Sequence, residues 1–190
     1  ALGNVFFSGI IGRNDVSEPF YRNAFFGKYD SAGIPVWTRT LNSAERQTAY
    51  GVSADGFGNV YVQGDTTGDT FGTNAGSFDG WLAKYDGSGN ELWSRQYGTP
   101  LLETYGTVAA DPLGGVYISA ANGPPYDQLL ARYSADGELQ WTRQIGGPVG
   151  DEIYSRLATD ALGNVYIAGN TRDSLFGPNA GEADAYLAKY

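Results

Sequence analysis

The residues able to do chemistry in this chain are few in kind. There is no cysteine and no histidine among the 190 residues. That removes thiolate nucleophiles, cysteine-ligated metals, the Ser-His-Asp arrangement and the commonest general base. Carboxylates, tyrosines and lysines remain as groups that could move a proton. The acids that fall in irregular stretches form the main candidate set: Asp15, Glu18, Asp65, Asp69, Asp79, Asp127, Asp151, Asp173 and Asp184, interleaved with Phe71, Tyr126 and Phe176. Dispersed acids and rings on variable loops suit recognition of a protein or a glycan. A converged carboxylate pair would suit glycoside hydrolysis instead, with Asp65, Asp69, Asp79, Asp173 and Asp184 as its candidates. A gap of ~5 Å would then mean retaining chemistry, and ~6.5 to 9.5 Å inverting chemistry.

A second group of acids recurs before glycine-rich turns, at Asp55, Asp111 and Asp160. A carboxylate there can accept backbone N–H groups across the turn, so a structural role is expected. Calcium is the alternative partner, but D-x-x-G-N lacks the dense alternating acids of a calcium loop. The expected cofactor is therefore none, with calcium the one candidate. A net charge of −9 disfavours nucleic acid and anionic membrane, since binding a polyphosphate needs a basic stripe. No apolar run approaches the ~20 residues of a membrane span, so insertion is not expected, and no stretch resembles a signal peptide. The chain contains no Met, which suggests a processed or partial product.

What must position these residues is a repeat. DALGNVYIAGN at 160–170 nearly restates the opening ALGNVFFSGI, and four copies align at 1–55, 56–111, 112–160 and 161–190. Gly3, Gly58, Gly114 and Gly163 keep register, as do Lys28, Lys84, Arg132 and Lys189, and Trp37, Trp93 and Trp141. Each full copy holds four short β-branched and aromatic runs bounded by Gly, Asp, Asn and Ser, and no stretch keeps apolar residues at helical spacing. The 28 glycines, about twice average usage, mark the turns between them. The chain reads as all-β, and four strands in roughly fifty residues, repeated, is the pattern of β-propeller blades.

FGTNAGSFDGWLAKYD at 71–86 and FGPNAGEADAYLAKY at 176–190, with G-N-V-Y-V and L-W-x-R-Q, resemble the bacterial SBBP β-propeller repeat over essentially the whole chain. The first copy departs in IIGRNDVSEPFYRN and the third shortens that loop to ANGPPYD. The resemblance implies a propeller of four-stranded blades and an exported or cell-surface setting, and it transfers no catalytic residue. By analogy, the run ending in VSAD, VAAD or LATD is the inner strand. The four copies then hold three, four, four and three strands, the first and last blades being incomplete, and two chains could close a larger ring as a homodimer. Trp37, Trp93 and Trp141 are expected to pack between blades, with sugar stacking as the alternative. Lys84 and Arg95 are expected to pair with carboxylates or to cover aromatics with their stems. The reading favours a single-domain, non-catalytic scaffold that recognises a protein or glycan through its acidic variable-loop face, with calcium as a possible aid. A carboxylate hydrolase and a purely structural spacer stand as alternatives.

Overall fold

The structure is a computed structural model that describes residues 3–12, 22–124, 126–148 and 154–190. Asp15, Glu18 and Asp151 lie outside the described residues. Every described element is a strand, and the strands form four antiparallel sheets. The first is β1 (Val5–Gly12), β2 (Arg22–Tyr29) and β3 (Pro35–Thr40). The second is β4 (Gln47–Ala54), β5 (Val60–Thr66), β6 (Asp79–Tyr85) and β7 (Glu91–Tyr97). The third is β8 (Glu103–Ala110), β9 (Val116–Asn122), β10 (Asp127–Tyr133) and β11 (Leu139–Ile145). The fourth is β12 (Arg156–Thr159), β13 (Val165–Thr171) and β14 (Asp184–Lys189). The strand numbers follow the expected three, four, four and three. Within each sheet the chain runs up and down in sequence order, and none of the four closes on itself. The inner strands β4, β8 and β12 lie side by side in that order, and β4 also packs against β1 and β2 of the first sheet.

Alternation along the strands decides how the sheets stack, because successive side chains point to opposite faces. Val60, Val62 and Ala83 face the first sheet and pack with Phe26 and Trp37, whereas Tyr61 and Leu82 face the third and pack with Val108, Val116 and Ile118. Tyr117 and Leu130 repeat the second role against Val165 and Ile167. Two-sided burial explains why β5 and β6 are buried at every position. The core is thus three layers of side chains between four sheets.

The four-residue turns at one end follow the expected chemistry. The Asp55 carboxylate accepts from the N–H of Phe57 and Asn59 and from Asn59 Nδ2, each at 2.8 to 2.9 Å. Asp160 does the same with Leu162 and Asn164 and also takes the Tyr166 hydroxyl. Asp111 accepts from Leu113 N and holds the Arg132 guanidinium at 2.6 Å. Asp55 and Asp160 each take four donors and Asp111 two, one of them the charged guanidinium.

The tryptophans do sit between sheets, but unequally. Trp37 is 8% exposed, while Trp93 and Trp141 are half-buried. Trp37 Nε1 and Lys28 Nζ both donate to Gly87 O, each at 3.1 Å, in the β6–β7 hairpin of the next sheet. One sheet further on, Trp93 Nε1 (2.8 Å) and Lys84 Nζ (3.0 Å) converge on Ala135 O of the β10–β11 hairpin. Each indole lies on a glycine, Gly89 or Gly137, where a Cβ would meet the ring at 2.7 Å and where φ is positive. Both reasons demand glycine there. Of the two expected roles, covering an aromatic is the one seen: Lys84 Nζ lies 5.2 Å over the Tyr61 ring and the Arg95 guanidinium 5.7 Å from the Trp93 ring, and their hydrogen bonds go to carbonyls, Arg95 Nε donating to Gly137 O at 3.0 Å.

Candidate functional site

The described acids of the variable loops are largely internal. Asp65, Asp79, Asp127 and Asp173 are 0, 1, 8 and 7% exposed, so four of the six described candidate acids are turned inward, while Asp69 is exposed and Asp184 half-buried. The loop backbone needs acceptors. Asp79 Oδ2 takes Ala75 N at 2.9 Å and Gln96 Nε2 at 3.0 Å. Asp184 Oδ2 takes Ala180 N at 2.8 Å, and Asp69 takes Asn74 N at 2.6 Å. Asp127 is held by Gln144 Nε2. Phe71 packs on Trp81 at 5.0 Å and Phe176 on Tyr186 at 5.6 Å, while Tyr126 is half-buried in the β9–β10 loop. Asp173, Phe176 and Asp184 do come together, around a hollow of about 360 Å³ beside β14. In the second sheet the corresponding space is filled by Gln96 of β7, which binds Asp79 and Gly68 O and accepts from Phe71 N. The hollow thus lies at the place that β7 occupies in the second sheet.

Glu103 is the described carboxylate held above its ordinary range. Burial is the main cause, with the nearby Asp79 charge adding to it, opposed by hydrogen bonds from Thr99. Thr99 N and Oγ1 donate to it at 3.0 and 2.5 Å. At 1% exposure each, Asp79 and Glu103 are sealed from any substrate.

What the structure gathers at the surface is a set of tyrosines that the sequence reading passed over. Tyr50 in β4, Tyr105 in β8 and Tyr154, two residues before β12, recur five to six residues ahead of Asp55, Asp111 and Asp160, in AYG, TYG and IYS. Their rings form a chain, with centroids 6.0 Å apart for Tyr50–Tyr105 and 5.6 Å for Tyr105–Tyr154. With Gly106, Thr107 and Arg156 they line a cleft of about 320 Å³, at the lower end of the range for small-molecule sites. Tyr105 and Tyr154 are 44 and 57% exposed.

The backbone explains this display. The β4–β5 ladder slips between Ala49 and Gly51, and the β8–β9 ladder between Thr104 and Thr107. Such bulges free a residue from the pleat and re-aim its side chain. Tyr105 has φ 53° and Tyr154 φ 69°, a left-handed conformation that is uncommon for a bulky residue and costs of order 1–3 kcal/mol. Tyr50 is anchored instead through its hydroxyl, which donates to Asp65 Oδ2 at 2.8 Å. Asp65 also takes Thr104 Oγ1 at 2.6 Å and Thr48 Oγ1. This buried carboxylate, served by three hydroxyls, ties β4, β5 and β8 together behind the cleft. Burial, then the Asp65 charge, raises the Tyr50 hydroxyl above the ordinary tyrosine value, so the phenol stays protonated and keeps donating.

Placement follows from topology. The inner strands begin at the end of the sheets that carries the variable loops: Gln47 pairs with Thr66, and Glu103 with Asn122, the last residues of β5 and β9. The cleft therefore opens toward the variable-loop end, opposite the Asp-Gly turns.

The model of the SBBP β-propeller repeat matches residues 36–72 and 140–177. Tyr50 and Tyr154 stand equally far from the starts of these two stretches, as do Trp37 and Trp141. No curated protein matches the chain. Among solved structures, a protein of unknown function from Bacteroides caccae is similar over 94% of this chain at 10% identity and a TM-score of 0.51. The chain spans 57% of that protein's length. A luciferin-regenerating enzyme aligns over 94% of this chain and 76% of its own, at 13% identity and a TM-score of 0.32.

Proposed function

We propose that the chain is a non-catalytic binding module of a β-propeller, and that the Tyr50–Tyr105–Tyr154 cleft takes a carbohydrate. The strained, exposed tyrosine platform carries this reading. Residues held at unfavourable φ persist where the surroundings impose them, and they cluster at ligand sites. Repetition scatters rim residues around a propeller but brings inner-strand residues together, so three copies of one tyrosine build a single surface. Tyrosine offers a rigid, amphipathic face at low entropic cost, matched to the C–H face of a sugar ring. The Thr107 hydroxyl and the Arg156 guanidinium at the cleft wall suit its hydroxyl edge. The reading needs no metal, and the loops around the opening would set which glycan enters.

The hydrolase alternative has the raised Glu103 carboxyl and its Asp79 neighbour on its side, but their burial opposes it. A panel of immobilised neutral and acidic oligosaccharides separates the readings. Wild type and Phe176→Ala should retain one or more sugars, Tyr105→Ala should lose them, and no reducing ends should appear. Equal retention by Tyr105→Ala would refute the cleft, and released reducing ends would favour the hydrolase.

A further inference from the structure

Six described turns of one kind close the end of the sheets away from the tyrosine cleft. In each, a side-chain oxygen of the first residue accepts the N–H of the third, and the first residue's carbonyl accepts the N–H of the fourth, a glycine. Three are hairpins toward the rim, starting at Asp30, Asp86 and Ser134, and their third residues are Ala32, Ser88 and Asp136. The other three leave the inner strands at Asp55, Asp111 and Asp160. There the third residues are Phe57, Leu113 and Leu162, which are 77, 67 and 80% exposed. Small or polar residues satisfy the same turn at the rim, so turn formation does not account for the large apolar ones at the inner strands. A single exposed apolar side chain needs no explanation. Three at one position on neighbouring turns form a patch, and exposed patches mark interaction sites.

The three turns are held next to one another. Ser53 Oγ of β4 accepts from Ala110 N at 2.9 Å, and Thr159 Oγ1 of β12 donates to Ala110 O at 2.8 Å, which joins the inner strands one or two residues before their turns. The Tyr61 hydroxyl reaches Gly114 O at 3.3 Å and the Tyr117 hydroxyl reaches Gly163 O at 2.7 Å, each fixing the turn of the next sheet. Leu113 leans onto the turn that carries Leu162, its Cδ1 lying 2.8 Å from where a Cβ on Gly163 would stand. The apolar tips thus stand on a base that is already ordered, which lowers the entropic cost of binding.

Charge selects the partner. Toward the rim the hairpins carry Asp86, Glu91, Asp136 and Glu138, the last three exposed. The cations that reach this end are engaged within the protein: Lys28 and Lys84 with Gly87 O and Ala135 O, Arg95 with Gly137 O, and Arg132 with the Asp111 carboxylate. We propose that Phe57, Leu113 and Leu162 form a docking patch for a segment of another protein in which apolar side chains are flanked by Lys or Arg. The apolar tips fill the centre of that contact and the acids form its rim, as in other protein interfaces. The same acids repel an anionic lipid surface. The patch lies at the opposite end from the tyrosine cleft, so it stands or falls apart from the sugar-binding reading.

Selection of displayed random peptides on the immobilised chain tests this, with the Phe57→Ser, Leu162→Ser double variant as counter-target. Both side chains are exposed, so the variant should keep the wild-type thermal midpoint. Peptides retained by wild type alone should combine apolar residues with Lys or Arg. One of them, synthesised with a fluorescein label, should bind the double variant at least about tenfold more weakly by anisotropy, the factor expected from withdrawing apolar burial. Asp136→Asn with Glu138→Gln should weaken the same peptide and flatten its dependence on salt. A selection that yields no wild-type-specific peptide, specific peptides without basic residues, or equal affinity for either variant would each overturn the proposal. Vesicles of phosphatidylcholine and phosphatidylserine should retain neither protein; retention of wild type but not of the Phe57→Ser, Leu162→Ser variant would assign the patch to a lipid surface and overturn the peptide partner.

Discussion

Replacing Trp37 tests how the sheets are joined. Its indole is 8% exposed, meets Phe26 edge-on at 6.5 Å, covers Gly89 and donates to Gly87 O at 3.1 Å. Burying a ring of ~150–250 Å² at ~25 cal/mol per Å² gives an upper bound of roughly 4–6 kcal/mol. Trp→Ala in cores costs about 3–5 kcal/mol, and we expect Trp37→Ala to lie there. Trp37→Phe keeps most of the packing, and Gly87 O still has Lys28 Nζ at 3.1 Å, so the loss should be only about 1–2 kcal/mol. Lys28→Met alone leaves the indole in place and should cost less than about 1 kcal/mol. Combining Trp37→Phe with Lys28→Met leaves that carbonyl without either donor, so the double variant should exceed the sum by about 1 kcal/mol. Urea unfolding of wild type and the four variants, with midpoints compared at constant slope, measures all of this. A Trp37→Ala loss under about 1 kcal/mol, or strict additivity in the double variant, would refute the shared-carbonyl latch.

Gly89→Ala should destabilise as well, because its Cβ would meet the Trp37 ring at 2.7 Å at a φ of +82°; a midpoint equal to wild type would contradict that geometry. Hydrogen bonds from Asn164, then from Leu162 and Tyr166, hold the Asp160 carboxyl down from 3.8 to about 2. A depressed acid stabilises above its unfolded value, and that contribution fades as pH falls through the folded one. Asp160→Asn should therefore flatten the loss of stability between about pH 4 and about pH 2, and an unchanged acid limb would count against the turn. Glu103 works oppositely: its raised carboxyl favours folding at low pH and loses that contribution as pH rises through the folded value, so Glu103→Gln should stabilise more at pH 7 than at pH 4. Tyr105→Gly removes a ring but also the strain of φ 53°, so stability should move by less than about 1 kcal/mol while sugar binding disappears. Because Asp55 and Asp160 are held by several N–H donors and Asp111 by Leu113 N and the Arg132 guanidinium, a chelator should leave the thermal midpoint unchanged; a drop reversed by calcium would show otherwise.

Turn chemistry and alternation were legible in the residues because both are local. Asp-x-x-Gly and LGN-type turns separate the strands where expected, and the Val-Tyr pairs of β5 and β9 are buried on both faces. The role of the acids was not legible, because composition cannot show that the N-A-G segments at 74–76 and 179–181 need Asp79 and Asp184 as acceptors. The exposure of Trp93 depends on how far the next hairpin reaches over it, which spacing does not encode. Tyr50, Tyr105 and Tyr154 were visible as a series, in AYG, TYG and IYS. Their significance lay in bulges and positive φ, which β-strand composition hides, and in the convergence of the inner strands.

The most direct test of the functional account is NMR of ring-labelled tyrosine during titration with a mixture of soluble neutral and acidic oligosaccharides. The account predicts saturable shifts confined to Tyr50, Tyr105 and Tyr154, and none at Tyr29, Tyr126 or Tyr190. Saturable shifts at those other rings with the inner-strand tyrosines unmoved, or no shifts anywhere, would contradict it.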